Sequence, residues 1–320
     1  MLTGAALIAV ALIVVALANV AGVKPTATLY CNSDGVLTDA QSIQSHRSYC
    51  LQGFSSVENL LRNAPIAFSF RIVDDQGDVV KDFDVVHEKI MHFIVVRKDL
   101  AEFQHLHPDF DASTGEFTLS ALTFPSNGAY RLFADFTPSA AQMGPDGMKL
   151  TVTSFQDVNV GDLSKYSPKL IGSEEKSKTF GKYKITLITQ PAQITAGSTE
   201  SLTFTIQKDG KPVQNLEQYL GALGHAIILR EGTLDFIHAH AAGHDMSSMS
   251  ASMSHMMQEG MKMDTGGPTI NFETLFPESG TYKIFLQFQH EGKVVTADFV
   301  VSVGKGINEG GSIDMMNMHH

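Results

Sequence analysis

Histidine recurs in this chain in one spaced pattern, used twice. In IMHFIVVRKDLAEFQHLHP the residues are His92, His105 and His107; in LGHAIILREGTLDFIHAH they are His225, His238 and His240. Neutral imidazole is the commonest side-chain metal ligand, and it suits copper and zinc alike. A hairpin could bring three such rings together. If the first copy turns at Lys98-Asp99, His92 faces His105 and has His107 as a diagonal neighbour; the second copy would do the same about Glu231-Gly232. Side chains alternate along a strand, so all three share a face. Opposed Cβ atoms lie roughly 5 Å apart and diagonal ones roughly 7–8 Å, a span that imidazoles can bridge to one ion. Histidines on strands can also be core residues bonded to backbone carbonyls. For His92 and His225, inside apolar strands, both roles are open; for His105, His107, His238 and His240, near strand ends, ligation is the expectation.

Seventeen positions separate His107 from Phe124, whereas 36 separate His240 from Phe276. The second copy therefore carries an insertion, and it includes AGHDMSSMSASMSHMMQEGMKMD. Within it lie Met246, Met249, Met253, Met256, Met257, Met261 and Met263, half of the chain's 14 methionines, together with His244 and His255. Thioethers are soft and do not titrate, which suits Cu(I), while histidine beside them accommodates Cu(II). Several of these methionines fall at helical spacing, but the residues between them are Ser, Gly, His and Asp, poor helix formers. A soft-metal loop is the reading adopted, with copper as the expected ion. The terminal Met315, Met316, Met318, His319 and His320 repeat this composition more weakly. His46, His87 and His290 stand alone and are expected to be surface or core histidines.

These ligands need a scaffold, and short alternating runs bounded by turn signals supply one. Ala67 to Val73 alternates, Asp75-Gln76-Gly77-Asp78 turns the chain, and further strands are expected at 91–97, 102–107, 116–122, 129–136 and 148–160. The second half repeats this with Leu202 to Gln207, a turn at Lys208-Asp209-Gly210-Lys211, two histidine strands, and strands at 281–288 and 293–303. F-P-x-x-G-x-Y closes both copies, at Phe124 to Tyr130 and at Phe276 to Tyr282. The fold class expected is all-β, two tandem sandwiches at 64–162 and 182–304. A polar linker at 163–181 joins them, the insertion occupies 242–266, and a Met/His tail follows at 305–320. Ser55-Ser56-Val57-Glu58 predicts a capping box opening a short helix through Leu60 and Leu61.

Leu2 to Val23 contains no ionisable side chain. Twenty-odd residues at helical rise span the roughly 30 Å hydrocarbon core. This predicts a transmembrane helix at 1–23, with a secretory signal ending near Ala16-Leu17-Ala18 as the alternative. Either places the rest of the chain outside the cytoplasm. Cys31 and Cys50, the only cysteines, then read as one disulfide in the segment 24–63. By chain entropy it would contribute about 3 kcal/mol. A net charge of -11 with no basic run argues against nucleic acid. No nucleophile elbow, HExxH or phosphate loop occurs, so no catalytic activity is expected.

In MHFIVVRKDLAEFQHLHP, YRLFADFTP, GHAIILREGTLDFIHAH and YKIFLQFQHEGKV the chain resembles the YtkA-like family of extracytoplasmic proteins, over roughly 64–160 and 182–303. The resemblance implies an immunoglobulin-like sandwich for each module and a link with copper handling. The second copy has Ala241 where the first has Pro108, and its insertion departs from the simple module. The expected function is a membrane-anchored, extracytoplasmic copper-binding protein: a buffer, a chaperone, or an accessory subunit serving a membrane copper enzyme. The alternative is a structural subunit of a filament, homo-oligomer or membrane complex whose histidines are core residues.

Overall fold

A computed structural model describes residues 29–31, 49–53, 60–141, 149–241 and 266–306. Residues 1–23, residues 242–265 of the insertion and residues 307–320 of the tail lie outside them, as do His46, His244, His255 and the seven methionines of the insertion. Among the described residues no helix is long and apolar enough to cross a membrane. They contain no α-helix, only a single 3-10 turn at Leu163–Lys165.

The first module comprises β1 (Leu29–Cys31), β2 (Cys50–Gly53), β3 (Ile66–Val73), β4 (His92–Arg97), β5 (Phe103–Leu106), β6 (Asp109–Asp111), β7 (Glu116–Leu122), β8 (Gly128–Phe136) and β9 (Val152–Val160). Its two sheets run β1-β2-β3-β7-β6 and β5-β4-β8-β9. Apart from β1, that is the order A-B-E-D against C′-C-F-G of an immunoglobulin-like sandwich. The sheet extends upstream of Ala64, because β2 pairs with β3 and Leu60 bridges Val160. Leu60 is thus extended rather than the helical residue its capping signal predicts; residues 54–59 lie outside the described region. β1 pairs with β2 so that Cys31 and Cys50 are direct Cα partners.

The second module comprises β10 (Ser177–Phe180), β11 (Tyr183–Gln190), β12 (Ile194–Thr195), β13 (Thr199–Lys208), β14 (Lys211–Pro212), β15 (His225–Arg230), β16 (Phe236–His240), β17 (Thr269–Leu275), β18 (Gly280–His290) and β19 (Lys293–Gly304). One sheet is β10-β11-β13-β14 with β17 also on β13; the other is β12-β19-β18-β15-β16. The end of the expected linker is therefore strand, since β10 pairs with β11.

The F-P-x-x-G-x-Y motif builds the same corner in both modules. Tyr130 Oη donates to the Ser126 carbonyl at 2.9 Å, and Tyr282 Oη to the Glu278 carbonyl at 2.8 Å. This tyrosine corner fixes entry into the F strand. Phe124 and Phe276 pack edge-on against these tyrosines, with centroids 5.0 Å apart in each case. The glycine is required: Gly128 and Gly280 have φ of 148° and 146°. A Cβ on either would stand 2.8 Å from the arginine ending the histidine strand, Arg97 or Arg230.

β4 and β15 are buried on both faces, which explains their unbroken apolar runs. On β4 the inward residues Phe93 and Val95 join the core of module one, as does Met91 just before the strand, while Ile94 and Val96 turn outward. On β15 Ala226 and Ile228 face inward, while Ile227 and Leu229 turn outward. The outward residues of both strands meet in a third apolar cluster between the modules, with Leu100, Phe133, Leu234 and Phe285. Aromatic stacks cross this junction reciprocally. Phe103 stacks on Phe285 at 4.2 Å, and Phe236 packs on Phe133 at 4.9 Å. The sandwiches are thus joined face to face through their C′-C-F-G sheets, and side-chain alternation puts the histidines on that same face.

Candidate metal centre

Both hairpins turn through four residues instead of two. Arg97 N–H donates to the Glu102 carbonyl and Arg230 N–H to that of Asp235. Leu100 and Leu234 take φ of 60° and 62° to close the loops. The register consequently differs by two from the one the spacing predicts. His225 faces His240 directly and His238 faces Ile227. In the first module Phe93 faces Leu106 and Ile94 faces His105, which leaves His107 opposite His92. Because the slip is two and the pleat has period two, no histidine changes face. In each triad the ligand atoms lie within 4.8 Å of one another.

The proton positions follow from the acceptors. His92 Nε2–H donates to the Val86 carbonyl at 3.2 Å, so Nδ1 carries the lone pair. His105 Nδ1–H donates to Gln287 Oε1 at 2.7 Å, leaving Nε2 bare; the amide is oriented by its Nε2 donating to Thr296. These two bare nitrogens, His92 Nδ1 and His105 Nε2, stand 3.0 Å apart. Facing lone pairs repel, and a shared cation relieves that repulsion. His107 Nε2 is buried without a hydrogen-bond partner among the described residues.

The second triad repeats the scheme atom for atom. His225 Nε2–H donates to the carbonyls of Tyr219 and Leu220 at 2.8 and 3.2 Å. His238 Nδ1 bonds Asp135 Oδ2 at 2.8 Å. Three further nitrogens, His225 Nδ1, His238 Nε2 and His240 Nε2, are buried and have no hydrogen-bond partner among the described residues. Buried polar atoms are normally satisfied, so three orphaned lone pairs in one triad form a set that fits a metal ion. Three imidazoles with oriented second nitrogens are the donor set of copper and zinc sites.

The electrostatics agree with neutral rings. Burial, reinforced by neighbouring histidines, holds His92 and His225 down at about 3 and His107 at about 2. Burial also holds His105 at about 4 and keeps His238 and His240 well below the usual range. Burial pushes the Asp135 carboxyl up to about 7, against the lowering effect of the hydrogen bond from Thr153.

One participant escapes the sequence pattern. His87, expected as an isolated residue, stacks on His240 with centroids 3.5 Å apart and lies 5.4 Å from His225. It comes from the first module but reaches the second triad, through a loop in which Val86 bridges Lys89 and His87 takes φ 51°. The matching loop, where Tyr219 bridges Ala222, has Leu220 at φ 55°. Aligning the modules on these loops reveals the exchange of Leu for His; spacing alone does not. Asp135 and Gln287 are likewise visible only once β8 and β18 are registered, opposite His92 and His225 respectively. His290 stays apart from the triads, with its nitrogens bonded to Tyr183 and Asn215. The insertion leaves from Ala241, which bridges Phe272 beside the second triad.

Among curated proteins, none matches the chain. Among solved structures it is similar to FdeC, a broadly conserved Escherichia coli adhesin, at 12% identity over 81% of this chain and 66% of that one, with a TM-score of 0.23. It is also similar to invasin, a bacterial integrin-binding protein, at 11% identity over 80% of this chain and 39% of that one, with a TM-score of 0.19. A tandem pair of titin Ig domains gives 10% identity over 78% and 92%, with a TM-score of 0.16. The chain thus spans less than two thirds of either bacterial protein. The sheet order, not these superpositions, places each module among Ig-like sandwiches. The family matched in sequence is not the YtkA-like one that the histidine strands resemble. Residues 54–162 and 178–305 each match the domain of unknown function DUF8832, and the chain belongs to that family through both of its modules.

Proposed function

We propose that this protein is an extracytoplasmic copper-binding protein that holds the ion at its two histidine triads and buffers it or hands it on. The observation that carries this reading is the set of bare, buried ring nitrogens: His225 Nδ1, His238 Nε2 and His240 Nε2 have no partner among the described residues, while His225 and His238 spend their other nitrogen on an oxygen acceptor. The composition of the Met/His insertion favours copper over zinc, because thioethers select soft Cu(I). In this reading the methionines of the insertion capture Cu(I). The apolar segment at 1–23 anchors the chain outside the cytoplasm, and a Cys31–Cys50 disulfide ties β1 to β2. The partner to which copper passes is a membrane copper enzyme or a second copy of the chain.

The test is metal analysis of the full chain after Cu(I) and Cu(II) titration against a chelating competitor, repeated with all six triad histidines changed to Gln. Cu(II) retained by the native chain and lost with the histidines supports the proposal, while Cu(I) that survives their loss reports the methionines of the insertion. A second reading, a structural subunit with core histidines, is favoured by the apolar junction that buries the same face. Equal Cu(II) content in both proteins would leave that reading standing.

A further inference from the structure

The two triads are not separate in space. His92 lies 4.9 Å from His238 and 6.3 Å from His225, and His105 lies 5.8 Å from His238, measured between ring centroids. Distances inside a triad are of the same size: 5.2 Å for His92–His105 and 5.8 Å for His225–His238. The six rings form one continuous cluster across the junction.

The supports are exchanged as well. His105 of the first triad is oriented by Gln287 of the second module, and His238 of the second triad by Asp135 of the first. Asp135 and Gln287 occupy corresponding places, each opposite its own module's first histidine. Neither module can complete its triad's surroundings alone. The exchange is also unequal. The second triad is backed by a carboxyl group that is 3% exposed and is flanked by His87, whereas the first is backed by a neutral amide.

We propose that the two triads form one dinuclear metal centre with unequal halves, in which the triad backed by Asp135 fills first. This rests on the metal-binding reading above and adds to it that the ions are neighbours and that their order is set by a side chain from the opposite module. A carboxylate behind a ligating imidazole raises its basicity, and losing it typically weakens metal binding 10- to 100-fold. Repulsion between adjacent cations makes the second step weaker than the first, by at least about tenfold. Asp135 and Gln287 are positioning residues here; neither touches the ion.

Cu(II) is the probe, because thioethers select Cu(I) and leave the histidines as the ligands for the oxidised ion. The full chain is titrated against a competitor while electron paramagnetic resonance is followed. One equivalent should give a single-site spectrum, and the second should bind more weakly and broaden that spectrum by dipolar coupling. Asp135→Asn should weaken the first step 10- to 100-fold and change the second by less than about threefold. If Asp135→Asn fails to fold, Gln287→Glu serves: it places a carboxyl behind His105 and should strengthen binding at the first triad. Two histidine-dependent ions giving the sum of two unperturbed single-ion spectra would overturn the dinuclear centre and leave the metal-binding reading intact. Copper binding indifferent to the six histidines would overturn both.

Discussion

The two halves of this molecule share a ligand scheme and differ in what stands behind it. Each triad offers one Nδ1 and two Nε2 atoms, and in each the first histidine is anchored by a carbonyl of the loop six residues upstream. That scheme belongs to the module and travels with its hairpin. The backing groups belong to the junction: Asp135 and His87 serve the second triad, whereas Gln287 serves the first. Duplicating a module copies its histidines, but their surroundings can diverge wherever the other copy supplies them.

The largest effect expected comes from removing one half. Changing His225, His238 and His240 together to Gln should abolish one histidine-bound copper and leave the other, as counted by metal analysis after gel filtration. Loss of both ions would mean that the first triad has no independent capacity.

Acid should strain both halves at once. Burial first, and histidine neighbours second, hold His92 and His225 at about 3, His107 at about 2 and His105 at about 4, against an ordinary 6.5. Between those values and 6.5 the unfolded chain binds protons that the folded chain refuses. Stability of the chelator-treated protein is therefore intact above pH 6.5 and falls as pH drops below it. The slope is about 1.4 kcal/mol per pH unit for each such ring, and between about pH 4 and 7 Asp135, whose raised carboxyl takes up a proton in the folded chain, offsets one ring's share. Urea unfolding at pH 7, 6 and 5 measures it, and a midpoint that does not move would show that the rings are solvated.

The junction can be broken without touching a ligand. Phe285→Ala empties a position that is 4% exposed and stacked on Phe103, at a cost of about 3–5 kcal/mol. Phe133→Ala, its reciprocal, should cost a similar amount, and both should weaken copper binding at both triads. A stability loss with unchanged affinity would detach the metal centre from the junction.

The tyrosine corners offer a control in which the halves should not differ. Tyr130→Phe and Tyr282→Phe each remove one hydrogen bond to a carbonyl, and each should cost about 1–1.5 kcal/mol in thermal or urea unfolding. A several-fold disparity between them would mean that one corner bears more of the fold than the other.

The smallest effect expected is the most specific. His87→Leu installs the residue that the second module carries in the matching loop. Copper affinity at the second triad should fall by less than about tenfold, with the first triad unchanged. Equal weakening of both would place His87 in the fold rather than in the asymmetry.

Much of this was legible in the residues. Period-two alternation located the strands around Phe68, Phe117 and Leu132, and the repeated F-P-x-x-G-x-Y marked the corners. The His-x-His pairs put His105 with His107 and His238 with His240 on one face, whatever the turn. Register was not legible, because Lys98-Asp99 and Glu231-Gly232 look like two-residue turns, while Leu100 and Leu234 adopt a left-handed conformation that leucine rarely signals. Leu60 bridges Val160 instead of continuing the helix its local signal predicts, since tertiary pairing outweighs local propensity.

What the sequence by itself determined is everything local: which residues alternate, which glycines must bend, and that two sets of three imidazoles lie on equivalent faces. What only the tertiary structure decided is that those faces meet, that His87, Asp135 and Gln287 cross to the opposite triad, and that six rings form one cluster. The physical reason is separation along the chain. Periodicity specifies the direction of a side chain relative to its own strand, whereas His105 and Gln287 stand 182 residues apart and come within 2.7 Å only because two apolar sheet faces exclude water by packing together.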